Sequence, residues 1–219
     1  MSFDSLAIGP SHAPAGVVPQ APNWNFEPIP LAHPRRVEIE GFIRQCYAET
    51  YGAQLQSLAP CLLALPAGEQ FKAAVGLRRA SEGRLFVEHY VDAPLERAAM
   101  LAAGAEIQRE TLVEISSFAA YHPGDARAVI VALTCGLYAM GFRWVTLVAT
   151  RALRNAFARL GLAPVSLGQA QRSRVLDDGT DWGSYYDTAP ELLIGDIDAG
   201  MRYLVARGLV APVEGVLSP

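Results

Sequence analysis

Hydrophobic and polar positions along the first half of the chain predict a helix, a hairpin, a strand and a second helix. Residues 33–53 carry apolar side chains at roughly helical spacing, which indicates an amphipathic helix. Residues 61–80 form two apolar runs around the turn sequence Pro66-Ala67-Gly68, a pattern typical of a β-hairpin. Residues 84–92 predict a further strand, and a helix is expected to begin after them, with Asp92 as its N-cap.

The second half of the chain alternates short apolar runs with helical segments. Residues 111–120 and 143–150 predict buried strands, whereas residues 125–141 and 151–162 predict the helices that follow them. A short strand or loop, a turn-rich loop, a last strand and a last helix are expected at residues 163–170, 177–190, 191–198 and 199–208. An antiparallel half followed by a strand–helix–strand unit predicts an α+β fold, with a central mixed sheet flanked by helices.

One apolar segment, residues 129–150, contains a single charge, Arg143, and its length alone would allow a membrane span. Gly141 suits a helix C-cap, and the β-branched run after it is typical of an interior strand, so a soluble core is favoured over an integral membrane span. Residues 1–32 are rich in Pro, Ala and Gly and predict a flexible arm without the features of a signal peptide. Residues 33–219 would then form a single domain.

Composition narrows the classes of function. The chain has 219 residues, of which 51% are hydrophobic and 18% charged, and this balance is typical of a globular domain. A net charge of −4 argues against nucleic-acid binding, because phosphate contacts need a basic face. The four histidines are far apart and the three cysteines include no Cys-x-x-Cys pair, so neither a metal site nor a disulfide framework is expected. A reducing cytoplasm is the expected location.

The turn before the predicted helix 125–141 is the first candidate for chemistry. In a strand–helix–strand unit, the end of the strand and the start of the helix face one crevice, where free N–H groups attract anions. Gly124 and Ala126 are small enough to let a diphosphate approach the backbone, and Arg127 adds a positive charge. An ordinary tight turn, with Asp125 as the helix cap, explains the same residues equally well.

The Tyr-His-Pro-Gly-Asp-Ala sequence of this turn, together with the order of the elements around it, resembles the Gcn5-related N-acetyltransferase superfamily. In that superfamily the loop reads Gln/Arg-x-x-Gly-x-Gly/Ala and cradles the pyrophosphate of coenzyme A. The resemblance implies the same role for Tyr121, His122, Gly124, Asp125, Ala126 and Arg127. Tyr121 stands where the superfamily has Gln or Arg. Phe157 stands where it often has a tyrosine that protonates the leaving thiolate, so that role is lost or moved.

A resemblance to the bacterial thermostable hemolysin family covers residues 33 to about 195. It rests on separated blocks in the right order, among them IQRETLVEISSFAA, LVATRALRNAFARLGLAP and WGSYYDTAP. The family usually has Gly-Asn-Leu-Ala where this chain has Ser116-Ser117-Phe118-Ala119. Its fold resembles the acyltransferases, especially the N-acyl homoserine lactone synthases. Residues 114–117 match their Glu-x-Ser/Thr-Arg motif except for the arginine, so a homoserine lactone product is not expected.

Glu114 is the strongest candidate for a catalytic base. A carboxylate within an apolar strand is costly unless it is partnered or functional, and burial would raise its pKa. Exposure to solvent, or a structural pairing with Arg78 or Arg109, is the alternative. Glu88 ranks second as an acid, a base or an amine-binding group. It and His89 would point to opposite faces of the predicted strand, so one of them would face the crevice.

Two further sets of residues complete the expected site. Backbone N–H groups at Phe118, Ala119 and Ala120 are expected to polarise a thioester carbonyl, while the strand pairs with pantetheine as in the superfamily. The substrate pocket is expected to involve a cation and three aromatic side chains, namely Arg78, Trp182, Tyr185 and Tyr186. A solvated strand end and ordinary core packing are the alternatives for these four residues.

The leading hypothesis is a cytoplasmic N-acyltransferase without a permanently bound cofactor. It would take an acyl group from acyl-CoA or from acyl carrier protein and transfer it to a small amine, which attacks directly while Glu114 accepts the proton. Two other hypotheses stay open. One is a non-enzymatic, membrane-active hemolysin, and the other is a degenerate module that binds acyl thioesters without turnover.

Overall fold

A mixed sheet carries the other elements of the computed structural model, which describes residues 26–68, 70–176 and 179–212. The strands are β1 Glu27–Pro30, β2 Cys61–Ala67, β3 Gln70–Arg79, β4 Leu112–Ala120, β5 Trp144–Ala149, β6 Val165–Gln169 and β7 Glu191–Asp196. The helices are α1 Arg36–Tyr51, α2 Leu95–Ala103, α3 Ala126–Ala139, α4 Arg151–Leu160 and α5 Ile197–Ala206. Within the described residues the strand order is β1-β2-β3-β4-β5-β7-β6, and β4–β5 is the one parallel pair. The predicted α+β fold with a mixed central sheet is confirmed.

Helix α1 shows how the hydrophobic period produces the packing. Ile39, Ile43 and Tyr47 recur every four residues, are buried, and pack on the β2–β3 hairpin. The helix ends at Gly52, whose φ of 68° is left-handed and therefore favours glycine. This helix becomes one wall of the cavity described below.

The apolar segment around Gly141 divides as predicted. Helix α3 stops at Ala139, Gly141 has a φ of 82°, and β5 begins at Trp144. The Phe142 N–H donates to the Leu137 carbonyl at 3.1 Å and closes the end of the helix. In the part of the chain that the structure describes, no helix combines the length and apolarity needed to cross a bilayer.

The prediction of a strand at residues 84–92 is wrong. Phe86–Tyr90 is a 3-10 helix, which buries Val87 and Tyr90, three positions apart. The Leu85 N–H donates to the Glu88 carboxylate at 2.8 Å, and this bond favours the helical turn over an extended chain.

Two further expectations about local structure need correction. Helix α2 begins at Leu95 with Pro94 at the N-cap position, and Asp92 instead forms an ion pair with Arg174. The predicted flexible arm, residues 1–32, lies mostly outside the described residues. Its last part is ordered in the sheet, because Glu27–Pro30 forms β1 and pairs with β2.

Strand β4 pairs with β5 over only about half of its length. Their pairing ends at Ile115 and Leu147. Directly afterwards the β3–β4 register shifts by one residue, and Ser117 takes a left-handed φ of 49°. This bulge bends β4 away from β5. Gly76 on β3 makes room for it, since a Cβ there would clash with the Ser116 hydroxyl.

Candidate active site

A cavity of about 550 Å³ opens where β4 and β5 separate. Residues of α1, β4, β5, α4, the start of α3 and the loop before Tyr185 line it. The predicted site residues on its wall are Arg78, Glu114, Phe118, Ala119, Ala120, Gly124, Ala126, Arg127, Trp182 and Tyr185. Five other predicted residues are not on this wall, namely Glu88, Tyr121, His122, Asp125 and Tyr186. The fold therefore brings most of the scattered candidates to one place.

Glu114 is buried at the base of this cavity, with 2% of its surface exposed. The backbone N–H of Phe86 donates to its carboxylate at 2.8 Å. Burial is the main influence and raises the pKa of Glu114 to about 7, although the Phe86 N–H and the nearby Arg78 charge act in the opposite direction. Among the described residues, Glu114 has no ion-pair partner. A carboxyl group with this pKa exchanges protons readily near neutral pH.

Glu88 lies in a different setting. Its carboxylate accepts a hydrogen bond from Arg109 at 2.7 Å and another from the Leu85 N–H. Burial alone would raise the pKa of Glu88, but the Arg109 and Leu85 hydrogen bonds and the Arg109 charge lower it. Arg109 also bonds Glu96 at 2.6 Å, so the three side chains tie α2 to the preceding turn. This geometry supports a structural role for Glu88. The expectation that Glu88 and His89 point to opposite faces of a strand no longer applies, because residues 86–90 form a 3-10 helix.

The outer half of β4 offers backbone groups to a ligand. Ala119 and Ala120 pair with Ala74 and Ala73 on β3. Beyond Ile115, the edge of β4 that faces β5 has no strand partner among the described residues. Backbone donors along such an edge can bind a carbonyl oxygen or an extended amide chain.

The loop after β4 leads into the amino end of α3. Tyr121 and His122 are exposed and contact each other edge to face, with ring centroids 4.8 Å apart. Gly124 faces open space, and no atom would lie within 4 Å of a Cβ placed there. Asp125 occupies the N-cap position but its side chain does not cap α3, because the carboxylate approaches Lys72 at 3.5 Å instead. Asp125 therefore stands at the N-cap position that the alternative interpretation gave it, without a capping hydrogen bond from its side chain. Ala126 and Arg127, at the start of α3, line the cavity.

Aromatic side chains close the cavity near Glu114. Trp182 lies 5.4 Å from Tyr185 and 5.9 Å from Phe86, measured between ring centroids. Its indole N–H is buried and has no hydrogen-bond partner among the described residues. The Tyr186 hydroxyl lies 2.7 Å from that of Tyr90, which does line the cavity. Tyr186 therefore supports the wall from behind.

The sequence did not predict several other residues on the wall of this cavity. They come from α1, from α4 and from the N-cap position of α4, and include Cys46, Thr50, Tyr51, Thr150, Asn155 and Arg159. Tyr51 has a raised pKa, mainly because of burial and despite a hydrogen bond with Thr150. Thr150, Asn155 and Arg159 lie in the block LVATRALRNAFARLGLAP that carries the family resemblance, but nothing in that block assigned them a role, since long-range packing brings the two helices to the cavity. The polar positions of α4 were the one available signal, because Asn155 and Arg159 are four residues apart on one face.

A second cavity of about 400 Å³ adjoins the first. It lies among α3, α4, α5, β5 and β7, and most of its wall is apolar. Ile115, Phe118 and Leu147 line both cavities, so the two are neighbours where β4 and β5 separate. A hydrocarbon chain that enters the gap between the strands would find an apolar compartment beyond it.

Comparisons with known proteins agree with this architecture. The profile of the thermostable hemolysin family matches residues 29–201. Among solved structures, TofI in a ternary complex with an inhibitor and MTA has a TM-score of 0.53 and 18% identity, with 80% of this chain and 89% of TofI covered. FeeM, an N-acyl amino acid synthase from uncultured soil microbes, has a TM-score of 0.52 and 14% identity, with coverages of 84% and 98%.

BjaI, a CoA-dependent acyl-homoserine lactone synthase solved with MTA, has a TM-score of 0.52 and 14% identity, with 86% of this chain and 90% of BjaI covered. Another structure of BjaI contains SAM and isopentyl-CoA. No curated protein sequence matches the chain. At identities this low, the structural similarity shows a shared fold alone.

Proposed function

Since the chain belongs to the thermostable hemolysin family and has an acyltransferase-like fold, we propose that it is an N-acyltransferase. It moves an acyl group from a CoA or acyl-carrier-protein thioester to an amine. The observation that carries this proposal is Glu114, a buried carboxyl in a large cavity that has a pKa near 7 and forms no ion pair with any residue that the structure describes. Such a group suits proton removal from an ammonium at neutral pH.

The donor occupies the gap between the two parallel strands in this proposal. Its pantetheine arm runs along the unpaired edge of β4, and N–H groups near Ala119 polarise the thioester carbonyl. Its phosphates lie at the start of α3, beside Gly124 and Arg127. The acyl chain extends towards the second, apolar cavity. BjaI, which shares the fold, is described as CoA-dependent and was solved with isopentyl-CoA, and this supports a thioester donor.

The chemical step requires one base. Glu114 takes a proton from the acceptor ammonium, and the neutral amine attacks the thioester carbon to form a C–N bond. Solvent water takes a second proton from the nitrogen of the tetrahedral intermediate as the C–S bond breaks and the thiolate leaves. Phe157 has no proton to give, so the thiolate takes a proton from water. The products are an amide, a free thiol and one net proton.

A thiol-release assay tests the proposal. Acyl-CoAs of several chain lengths are combined with a panel of amines, and wild type is compared with Glu114→Gln and with Glu88→Gln as the matched control. Thiol release that depends on the amine and on Glu114 is the expected result. Equal rates in wild type and Glu114→Gln would remove Glu114 as the base.

Two outcomes of the same experiments would favour the other hypotheses. Donor binding without turnover, measured by thermal shift, would favour a degenerate binding module. Lysis of red cells by the pure protein, without thioester turnover, would favour a membrane-active protein.

A further inference from the structure

Arg78 lines the cavity and has no role in the proposed chemical step. Its guanidinium makes one long hydrogen bond, 3.4 Å to the Arg84 carbonyl. It forms no ion pair with any carboxylate in the described residues, whereas its neighbour Arg79 pairs with Glu82. A guanidinium has five N–H donors in a fixed planar arrangement, so most of its binding capacity is unused. Such a group is suited to bidentate binding of a carboxylate.

The position of Arg78 relative to Glu114 is set by the sheet. The two residues lie directly opposite each other on the antiparallel strands β3 and β4. Opposite residues project from the same face of a sheet, with Cβ atoms about 4.5–5.5 Å apart. The Arg78 charge also acts on the Glu114 carboxyl. The cavity wall therefore presents a cation and a proton acceptor side by side, without an ion pair between them.

We propose that the amine acceptor is an α-amino acid whose carboxylate binds Arg78 while its ammonium faces Glu114. This inference rests on the proposed acyltransferase function. An α-amino acid separates its two charged groups by a single carbon, which suits two adjacent side chains of one sheet face. A simple amine would leave Arg78 without a partner, and a diamine would bring a second cation towards it.

The surroundings of this pair indicate the kind of amino acid. Phe86, Tyr90 and Trp182 line the same cavity, so an apolar or aromatic side chain of the acceptor has surfaces to pack against. A hydrophobic amino acid such as phenylalanine is therefore the first probe to use.

The test compares phenylalanine with phenethylamine, which lacks only the carboxylate, using octanoyl-CoA as donor. Wild type is expected to have a kcat/KM for phenylalanine at least about tenfold higher. Because the Arg78 charge also lowers the pKa of Glu114, the two acceptors are compared at about pH 9, where Glu114 is ionised. There Arg78→Met should lower the value for phenylalanine about 10- to 100-fold, mainly through KM, and should change the value for phenethylamine little. Arg79→Met is the control, because Arg79 carries the same charge on the next residue but does not line the cavity. It should keep the wild-type ratio.

Equal use of the two acceptors by wild type, or an equal loss with both in Arg78→Met, would overturn the inference. Calorimetric binding of phenylalanine, without any donor, separates this inference from the proposed function. Binding that requires Arg78, with no thioester turnover, would support the amino-acid site while the acyl-transfer proposal fails. Acyl transfer to simple amines, with no binding of phenylalanine, would support the enzyme and reject the amino-acid acceptor.

Discussion

Glu114 and Glu88 both lie in apolar runs of the sequence that predict strands, but the fold gives their carboxyl groups opposite environments. Glu114 lies on β4 with 2% exposure and no counter-ion among the described residues. Glu88 lies in a 3-10 turn, bonded to Arg109. The pKa of Glu114 is raised and that of Glu88 is lowered. Burial acts on both, so the presence of a hydrogen-bonded arginine decides which carboxyl can exchange a proton near pH 7.

The largest expected difference between the two regions is in catalysis. Glu114→Gln should lower kcat/KM about 10²- to 10⁴-fold, because the amide keeps the shape and the Phe86 hydrogen bond but cannot accept the proton. Glu88→Gln should change kcat/KM less than about threefold, since its carboxylate does not line the cavity. Steady-state thiol release measures both variants. A comparable loss in the two variants would abolish the distinction between the regions.

The pH dependence of the reaction sharpens the same comparison. Glu114 acts as a base when ionised, so kcat/KM should rise about tenfold per pH unit below the pKa near 7 and level off above it. The carboxylate of Glu88 is ionised throughout this range, so Glu88→Gln should keep the shape of the profile and move its midpoint only slightly to lower pH, because it removes a negative charge that raises the pKa of Glu114 a little. A wild-type profile that is flat between pH 5.5 and pH 8 would contradict the assignment of Glu114 as the base.

The hydrophobic pattern was sufficient to predict the frame of this site. The apolar runs and the Pro-Gly turn placed Glu114, the loop from Tyr121 and the start of α3 at successive positions of one strand–loop–helix unit, and the structure has this unit. A parallel strand pair and its helix then bring these residues to one crevice. The hydrophobic period therefore predicted the part of the site whose residues are close together in the sequence.

The hydrophobic pattern could not predict two features: the hydrogen bond that folds residues 84–92 into a turn, and the bulge in β4. Phe86–Tyr90 has strand-like composition, but the Leu85–Glu88 bond and the distant Arg109 favour a turn. Ser117 adopts a φ of 49° that serine seldom takes and asparagine tolerates better. The thermostable hemolysin pattern described above has asparagine at this position. The left-handed φ that would favour asparagine arises at the register shift between β3 and β4, which the sequence alone does not show. The contributions of α1 and α4 depend on long-range packing, which the sequence pattern does not describe.

Stability should depend on pH with opposite signs in the two regions. The pKa of Glu114 is raised from 4.5 in the unfolded chain to about 7 in the fold. The unfolded chain therefore loses the proton first, and wild type loses stability as pH rises from about 4.5 to 7. The loss is up to about 3 kcal/mol, at 1.36 kcal/mol per pKa unit. Glu114→Gln lacks this loss, so denaturant unfolding should find it more stable than wild type at pH 8 and not at pH 4. A less stable variant at pH 8 would contradict the account of Glu114 as a buried, unpaired acid.

The smallest expected effect belongs to Glu88, whose lowered pKa has the opposite consequence. Its ionised form is bound better in the fold, so its contribution to stability is present above the unfolded pKa of 4.5 and is lost as pH falls through the lower, folded value. Glu88→Gln should therefore lower the free energy of unfolding by only about 1–2 kcal/mol at pH 7, because Arg109 keeps its ion pair with Glu96 and because solvent reaches the partly exposed Arg109 and screens the Glu88 pair. Thermal unfolding should show a lower midpoint at pH 7 and a smaller difference at pH 3. A destabilisation that stays constant over this range would mean that shape, and not charge, holds the turn in place.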